Sequence, residues 1–136
     1  MLNSSFFNLM KNALIASDLK QQVYANNIAN QNTPGFKEQS VQFNSLLQQA
    51  MTSTPPAKLG QKYIPISVSG FPFNIGAASQ VSPRVVQDTS TTMSNNGNNV
   101  DIDAQMVGLA ENQIKYNVLA QIVADKFNGM KNAIVG

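Results

Sequence analysis

The sequence predicts a mainly α chain in which long N- and C-terminal helices pair as an antiparallel coiled coil, with a loop-rich middle segment that has room for short strands. Three observations carry this. Apolar residues recur at heptad spacing from Ile102 to Ile134. A second helical stretch over residues 3–30 is apolar in two adjacent registers. Between them, Pro, Gly, Ser and Asn interrupt every apolar run. The chain therefore divides into an N-terminal helix (1–33), a turn and loop-rich middle (34–99) and a C-terminal helix (100–136).

In the N-terminal stretch, Phe6, Leu9, Ala13, Ala16 and Val23 follow alternating three- and four-residue steps, and Phe7, Met10, Leu14, Tyr24 and Ile28 follow the same steps one residue later. A helix with so broad an apolar face has two neighbours to touch. The first register is assigned to the seam with the C-terminal helix and the second to adjacent molecules. Asn26, Asn27 and Asn30 replace apolar residues at the end, and the helix stops there. Asn32-Thr33-Pro34-Gly35-Phe36 follows as a turn, with Pro34 fixing φ at the second position and Gly35 free to take positive φ at the third.

Val41, Phe43, Leu46, Leu47, Ala50 and Met51 predict a short amphipathic helix over 41–51, ended by Thr54-Pro55-Pro56. From Ala57 to Gln87 the chain is broken by Pro and Gly, with Tyr63–Val68 readable as a strand and Val85-Val86 as the start of another. The polar run from Thr89 to Asn99 leads to the last helix. Asp101 stands at its N-cap and Asp103 in its first turn, where carboxylates favour the helix dipole. Steps of four and three from Ile102 reach Met106, Leu109, Gln113, Tyr116, Ala120, Val123, Phe127, Met130 and Ile134, apolar except at Gln113. Such a helix spans roughly 50 Å at ~1.5 Å per residue. It needs a long partner, and the connection is long enough to bring the N-terminal helix back beside it.

Composition narrows the function. The chain has no His and no Cys, which excludes imidazole bases, Ser-His and Cys-His pairs, disulfides and thiolate metal sites. Asp101 and Asp103 fail as a calcium loop, because aligning Gly97 with the loop glycine puts Thr92 first and Asp103 twelfth. Helix capping accounts for them, no enzyme is expected, and no cofactor is implied. Nine basic residues are scattered without a stripe and the net charge is +2, so nucleic-acid binding lacks its electrostatic footprint. No apolar run reaches membrane-spanning length, and the start lacks the charged and apolar regions of an ordinary cleaved signal. Thirty Asn and Gln residues against sixteen charged ones predict a neutral, hydrogen-bonding surface suited to crowded packing.

Ala25-Asn26-Asn27-Ile28-Ala29-Asn30-Gln31-Asn32-Thr33-Pro34-Gly35-Phe36-Lys37, closing an N-terminal helix, resembles the signature of the bacterial flagellar axial family of rod, hook and hook-associated proteins. The short chain, the Gly97-Asn98-Asn99-Val100-Asp101-Ile102-Asp103 junction and Asn112-Gln113-x-x-Tyr116 resemble its proximal rod members. The likeness covers 1–50 and 95–136. Phe36 stands where the family often has Tyr, and the terminal helices carry few charges for choosing a neighbour. The resemblance implies a structural subunit whose terminal helices build a helical tube enclosing the export channel and transmitting torque, with the middle packed outside. It implies as partners copies of itself, other rod proteins, the rod-to-membrane-ring adaptor and the flagellar type III export apparatus, which delivers it beyond the cytoplasmic membrane without a cleaved signal. The expected seam sets Phe6, Leu9, Ala13, Ala16 and Val23 against Met106, Leu109, Tyr116, Ala120, Val123, Phe127 and Met130. Phe7, Met10, Leu14, Tyr24 and Ile28 are left for neighbours. One such seam does not offset the entropy of ordering both ends, so these are expected to become rigid on assembly.

Overall fold

Helix-forming residues run without a Pro or an internal Gly from Leu2 to Ala29, and with two tolerated glycines from Ile102 to Val135. The computed structural model describes residues 2–52, 67–68, 71–72, 75–91, 95 and 97–135. Its elements are α1 (Leu2–Ala29), β1 (Gln39–Gln42), α2 (Asn44–Thr52), β2 (Ser67–Val68), β3 (Phe71–Pro72), α3 (Ile75–Ala78), β4 (Arg84–Gln87) and α4 (Ile102–Val135).

α1 and α4 pack antiparallel along their lengths. Phe7 meets Phe127, Ser17 meets Asn112, Tyr24 meets Gly108 and Asn27 meets Gln105, the numbers falling on one helix as they rise on the other. The Phe7 and Phe127 rings are 5.1 Å apart between centroids, and the Lys126 ammonium lies 5.5 Å from the centre of the Phe6 ring. At Gly108 a Cβ would come within 2.7 Å of the Tyr24 ring, so the missing side chain is what lets the ring lie on α4.

The seam differs from the expected heptad line at alternate positions. Ile102, Leu109, Tyr116, Val123 and Met130 are at least half-buried, as is Ala120. Gln105 and Asn112 are buried where Met106 and Gln113 were expected, and Leu119 is half-buried beside Ala120. Met106 turns outward, 56% exposed, and Ile134 is exposed near the helix end. Phe127 is largely exposed even though its ring touches Phe7. The reason is chemical: Gln105 and Asn112 find hydrogen-bond partners on α1 and at Glu38, just before β1, so a polar line competes successfully with the apolar one a residue further on.

The breadth of the apolar face of α1 also has an explanation within the chain. α1 contacts α4, and it also contacts β1 and α3. Ala16, Val23, Phe43 and Ala78 are buried, and the Asn12 side-chain amide donates to Ser79 O (3.1 Å) and Val81 O (3.0 Å), tying the middle segment to the helix. Phe7 and Tyr24, assigned by sequence to neighbouring molecules, are engaged inside the subunit; Met10, Leu14 and Ile28 are half-buried. Lys20 interrupts this face, and burial, followed by the nearby Lys115, lowers its pKa.

The middle contains more strand than the periodicity predicts. β1 and β4 pair antiparallel, Gln39 opposite Gln87 through Gln42 opposite Arg84, and Asp88 N donates to Glu38 O at 2.8 Å beyond the ladder. The short helix begins at Asn44, because Val41 belongs to β1 and buried Phe43 supplies the carbonyl that accepts Leu47 N at 2.8 Å. Of the expected strand Tyr63–Val68, Ser67 and Val68 form β2 against β3. Tyr63–Ile66 and Thr54-Pro55-Pro56 lie outside the described residues.

Gly108→Ala should lower stability by about 1 kcal/mol, since overpacking against Tyr24 costs about 1–3 kcal/mol and alanine's helix propensity returns about 1. In a Tyr24→Ala background the same change should stabilise instead, by about 1 kcal/mol. Thermal melts of the four variants followed by circular dichroism measure both signs.

Candidate assembly site

Where α1 ends, β1 begins and α4 starts, the chain is held by side-chain amides. α1 stops through local bonds: Asn30 N shares Asn26 O and Asn27 O (3.1 and 3.2 Å), and Asn30 Nδ2 donates back to Asn26 O (2.9 Å). Thr33 N then bonds Asn30 O (2.9 Å) and Phe36 N bonds Thr33 O (3.2 Å), closing the turn over Pro34 with Gly35 at φ 72°. That positive φ is what the turn demands of its third residue, and glycine meets it without strain. Asn32, Thr33, Pro34 and Gly35 are exposed and Phe36 is half-buried.

At the other entry, Asp101 caps α4, its Oδ1 accepting Asp103 N (3.0 Å) and Ala104 N (3.3 Å). Asp103 sits in the first turn. Just before the cap, Asn98 and Asn99 are almost wholly buried. Asn98 Nδ2 lies on three carbonyls of the α1 turn, Asn30 O (3.1 Å), Gln31 O (2.9 Å) and Thr33 O (3.2 Å), while its Oδ1 accepts Val100 N (2.6 Å). Asn99 Oδ1 accepts Glu38 N (2.6 Å), and its Nδ2 donates to Asp88 O (3.1 Å) and Thr91 Oγ1 (2.8 Å). Gly97, at φ 83°, lies against Gly35, where an added Cβ would stand 3.7 Å from its Cα.

Asn27 links this junction to the helix seam. Its Nδ2 donates to Gln39 O (2.7 Å) and Gln105 Oε1 (2.9 Å), and its Oδ1 accepts Gln39 N (3.0 Å). Gln105 Nε2 donates onward to Glu38 Oε1 (2.9 Å). Two turns along α4, Asn112 Nδ2 donates to Ser17 O (2.7 Å) and its Oδ1 accepts Ser17 Oγ (2.9 Å). Among the described residues every buried side-chain nitrogen and oxygen has a partner. The loop after β4 is held the same way: Ser90 Oγ, Ser90 N and Thr91 Oγ1 all donate to the Asp88 carboxylate, which lowers its pKa to about 2. The stabilisation from that loop is present above the ordinary carboxylate pKa and fades as pH falls through 2.

The clasp thus brings together Asn27, Asn30, Thr33 and Gly35 of the signature turn with the junction before Asp101. Sequence reasoning assigned the amides to the surface and missed Asn98, Asn99, Gln105 and Asn112 as interior residues. A signal was present, since Asn98, Gln105 and Asn112 are seven residues apart, the period of a buried seam. This arrangement offers neutral bonds in fixed geometry and positions helices. Among the described residues, no group of three or more Asp or Glu gathers as a metal site, and no helix is long and apolar enough to cross a membrane.

Comparison with known proteins points the same way. Residues 8–37, the greater part of α1 with its closing turn, match the model of a family described as flagella basal body rod protein. The chain is 35% identical over 127 residues to the flagellar basal body rod protein FlgB of Bacillus subtilis, covering 93% of this chain and 91% of that protein. It is 38% identical over 113 residues to the protein of that name from Borreliella burgdorferi, covering 82% of each. To the Salmonella typhimurium FlgB it is 27% identical over 117 residues, covering 86% of this chain and 83% of that protein.

Asn98→Asp should open the junction more than Asn98→Ala, because a carboxylate would face the three carbonyls that Nδ2 now satisfies. Burying so mismatched a group costs about 1–3 kcal/mol or more. Only the protonated acid can donate there, so folding raises the pKa of the introduced carboxyl. Stability should be recovered below its unfolded pKa and lost as pH rises through the folded one. Amide exchange of residues 28–36 as a function of pH measures this.

Proposed function

We infer the role of this chain from its family: it belongs to the FlgB family of flagellar basal-body rod proteins. It is a structural component of the flagellar basal body, and on that footing we read it as a subunit of the proximal rod. Terminal helices from many copies, and from other rod proteins, pack into a helical tube that encloses the export channel and transmits torque. The middle segment, 34–99, sits on the outside of that tube. The type III export apparatus delivers the subunit beyond the cytoplasmic membrane, and the rod-to-membrane-ring adaptor receives it.

The observation that supports this best is the disposition of the α1–α4 pair. Its shared seam sets the buried amides of Gln105 and Asn112 among half-buried Ile102, Leu109, Tyr116, Val123 and Met130, while α4 keeps large apolar side chains on its outward side, including Val107, Ile114 and Val118. A chain folded for solitary life hides such a row; a chain built for packing among others presents it. Torque passes through a stiff set of interlocked helices by contact alone, which asks for shape and rigidity and no reactive group.

Tyr116 tests the reading. Its ring is half-buried on the α1-facing line of α4, and Tyr116→Asp would bring a charge into the helix pair. The variant should still be exported, yet be missing from isolated basal bodies, and a strain relying on it should not swim. Immunoblots of secreted and basal-body fractions, with swimming assays, measure this; rods of normal composition would refute it.

A further inference from the structure

Large apolar side chains stay exposed at several places on the described residues, Val85, Met106, Phe127 and Ile134 among them, and two surfaces stand out. One is a ridge on α4, where Val107, Ile114, Val118 and Ile122 are 61, 65, 54 and 39% exposed. At 3.6 residues per turn they fall within about 80° of each other, on the side away from the seam. The other is an open hollow of about 430 Å³ lined by Leu46, Gln49, Ala50, Val81 and Ser82. There α2 presents apolar side chains, and no residue of α2 is fully buried. The hollow is well over twice the ~150 Å³ of a cavity that accepts benzene, so it has room for more than one aliphatic side chain. The outward line of α1, Asn8, Lys11, Ile15, Asp18, Gln22 and Asn26, is polar except for Ile15 and offers no counterpart.

Resting on the rod reading, geometry chooses between pairings. A ridge packed on the same ridge of another copy makes a two-fold contact that closes as a dimer and ends growth. A ridge packed on a different patch of the next copy leaves a free ridge and a free hollow at the ends, and so repeats. Four aliphatic side chains fall far short of the ~800 Å² per partner of a stable complex. The contact therefore holds only where the growing array already sets copies side by side. Charge gives it direction: Glu111 on the ridge is already paired with Lys115 (3.4 Å), exposed Asp125, which accepts from Gln121 Nε2 (2.8 Å), lies one turn beyond Ile122, and exposed Arg84 lies two residues beyond Ser82 at the hollow. We propose that the α4 ridge of one copy seats in the α2 hollow of the next, with Asp125 against the next copy's Arg84.

The chain has no cysteine, which makes disulfide trapping clean. A chain with both Val118→Cys and Leu46→Cys, expressed without the wild type and oxidised in isolated basal bodies, should give a ladder of dimers, trimers and larger species. Each single variant should give none. Dimers from Val118→Cys alone, adducts with a different protein, or incorporated double variant without a ladder overturn the proposal. Independently, Arg84→Glu should lower the amount retained in basal bodies about tenfold, and adding Asp125→Arg should restore it. No restoration also overturns it. If the cysteines prevent incorporation, the charge swap decides. The wild-type chain separates the two readings: its absence from basal bodies defeats the rod assignment, whereas its presence without ladder or rescue defeats only the ridge-and-hollow contact.

Discussion

The fold depends on a requirement that water-free carboxamides impose: each needs its donors and its acceptor met at the same time. Asn27, fully buried, meets this by bonding both backbone groups of Gln39 and the side chain of Gln105. Asn98 and Asn99 do the same for the α1 turn, Glu38 and the loop after β4. A neutral amide pays little to be desolvated when all its bonds are made, and a carboxylate or ammonium at these sites would carry an uncompensated charge. The same residue also specifies one arrangement only, since a shift of either chain leaves several polar atoms orphaned at once.

That specificity is what the helix pair lacks in its apolar residues. A seam of Ile, Leu, Met and Val tolerates sliding by a heptad, because each position meets a similar one. Asn112 bonded to both the hydroxyl and the carbonyl of Ser17 does not. Together with Gln105 at the clasp and Gly108 beneath the Tyr24 ring, it fixes axial position and rotation near the junction. Towards the free ends the contacts become aromatic, Phe7 on Phe127 and Lys126 over Phe6, which hold the helices together with less demand on register.

What the sequence reveals follows from how local each cause is. The Pro34-Gly35 turn and the Asp101 cap are decided by their own residues and are readable directly, as are the helices they bound. β1 is not, and β4 is readable only in its Val85-Val86 start, because Gln39–Gln42 and Arg84–Gln87 are short, poorly alternating and far apart in the chain, and their pairing is what makes them strands. The seam is half legible: Ile102, Leu109, Tyr116, Val123 and Met130 are shared by the two heptad lines that start from Ile102. Choosing the line through Met106 over the one through Gln105 follows hydropathy, which takes no account of partners at Asn27, Glu38 and Ser17. The breadth of α1 was visible, but whether its second side meets another molecule or the chain's own middle depends on Asn12 reaching Ser79 and Val81, a contact no periodicity encodes.

The choice of Gln105 and Asn112 over Met106 and Gln113 leaves apolar side chains outside the helix pair. Met106 is turned out, 56% exposed, and the apolar row from Val107 to Ile122 lies on the side of α4 away from α1. A helix with one broad apolar face would bury everything against a single partner and present a polar back. Splitting hydrogen bonding and hydrophobicity between two faces keeps the subunit internally registered by directional bonds and leaves its non-directional attraction for the next molecule. The directional part responds little to salt because, apart from the Gln105 bond to the Glu38 carboxylate, it is neutral and buried, and the non-directional part is weak until several contacts act together. On the rod reading, a particle assembled one subunit at a time needs that division: the two helices of each subunit meet in one register, and copies adhere only where a place has already been prepared.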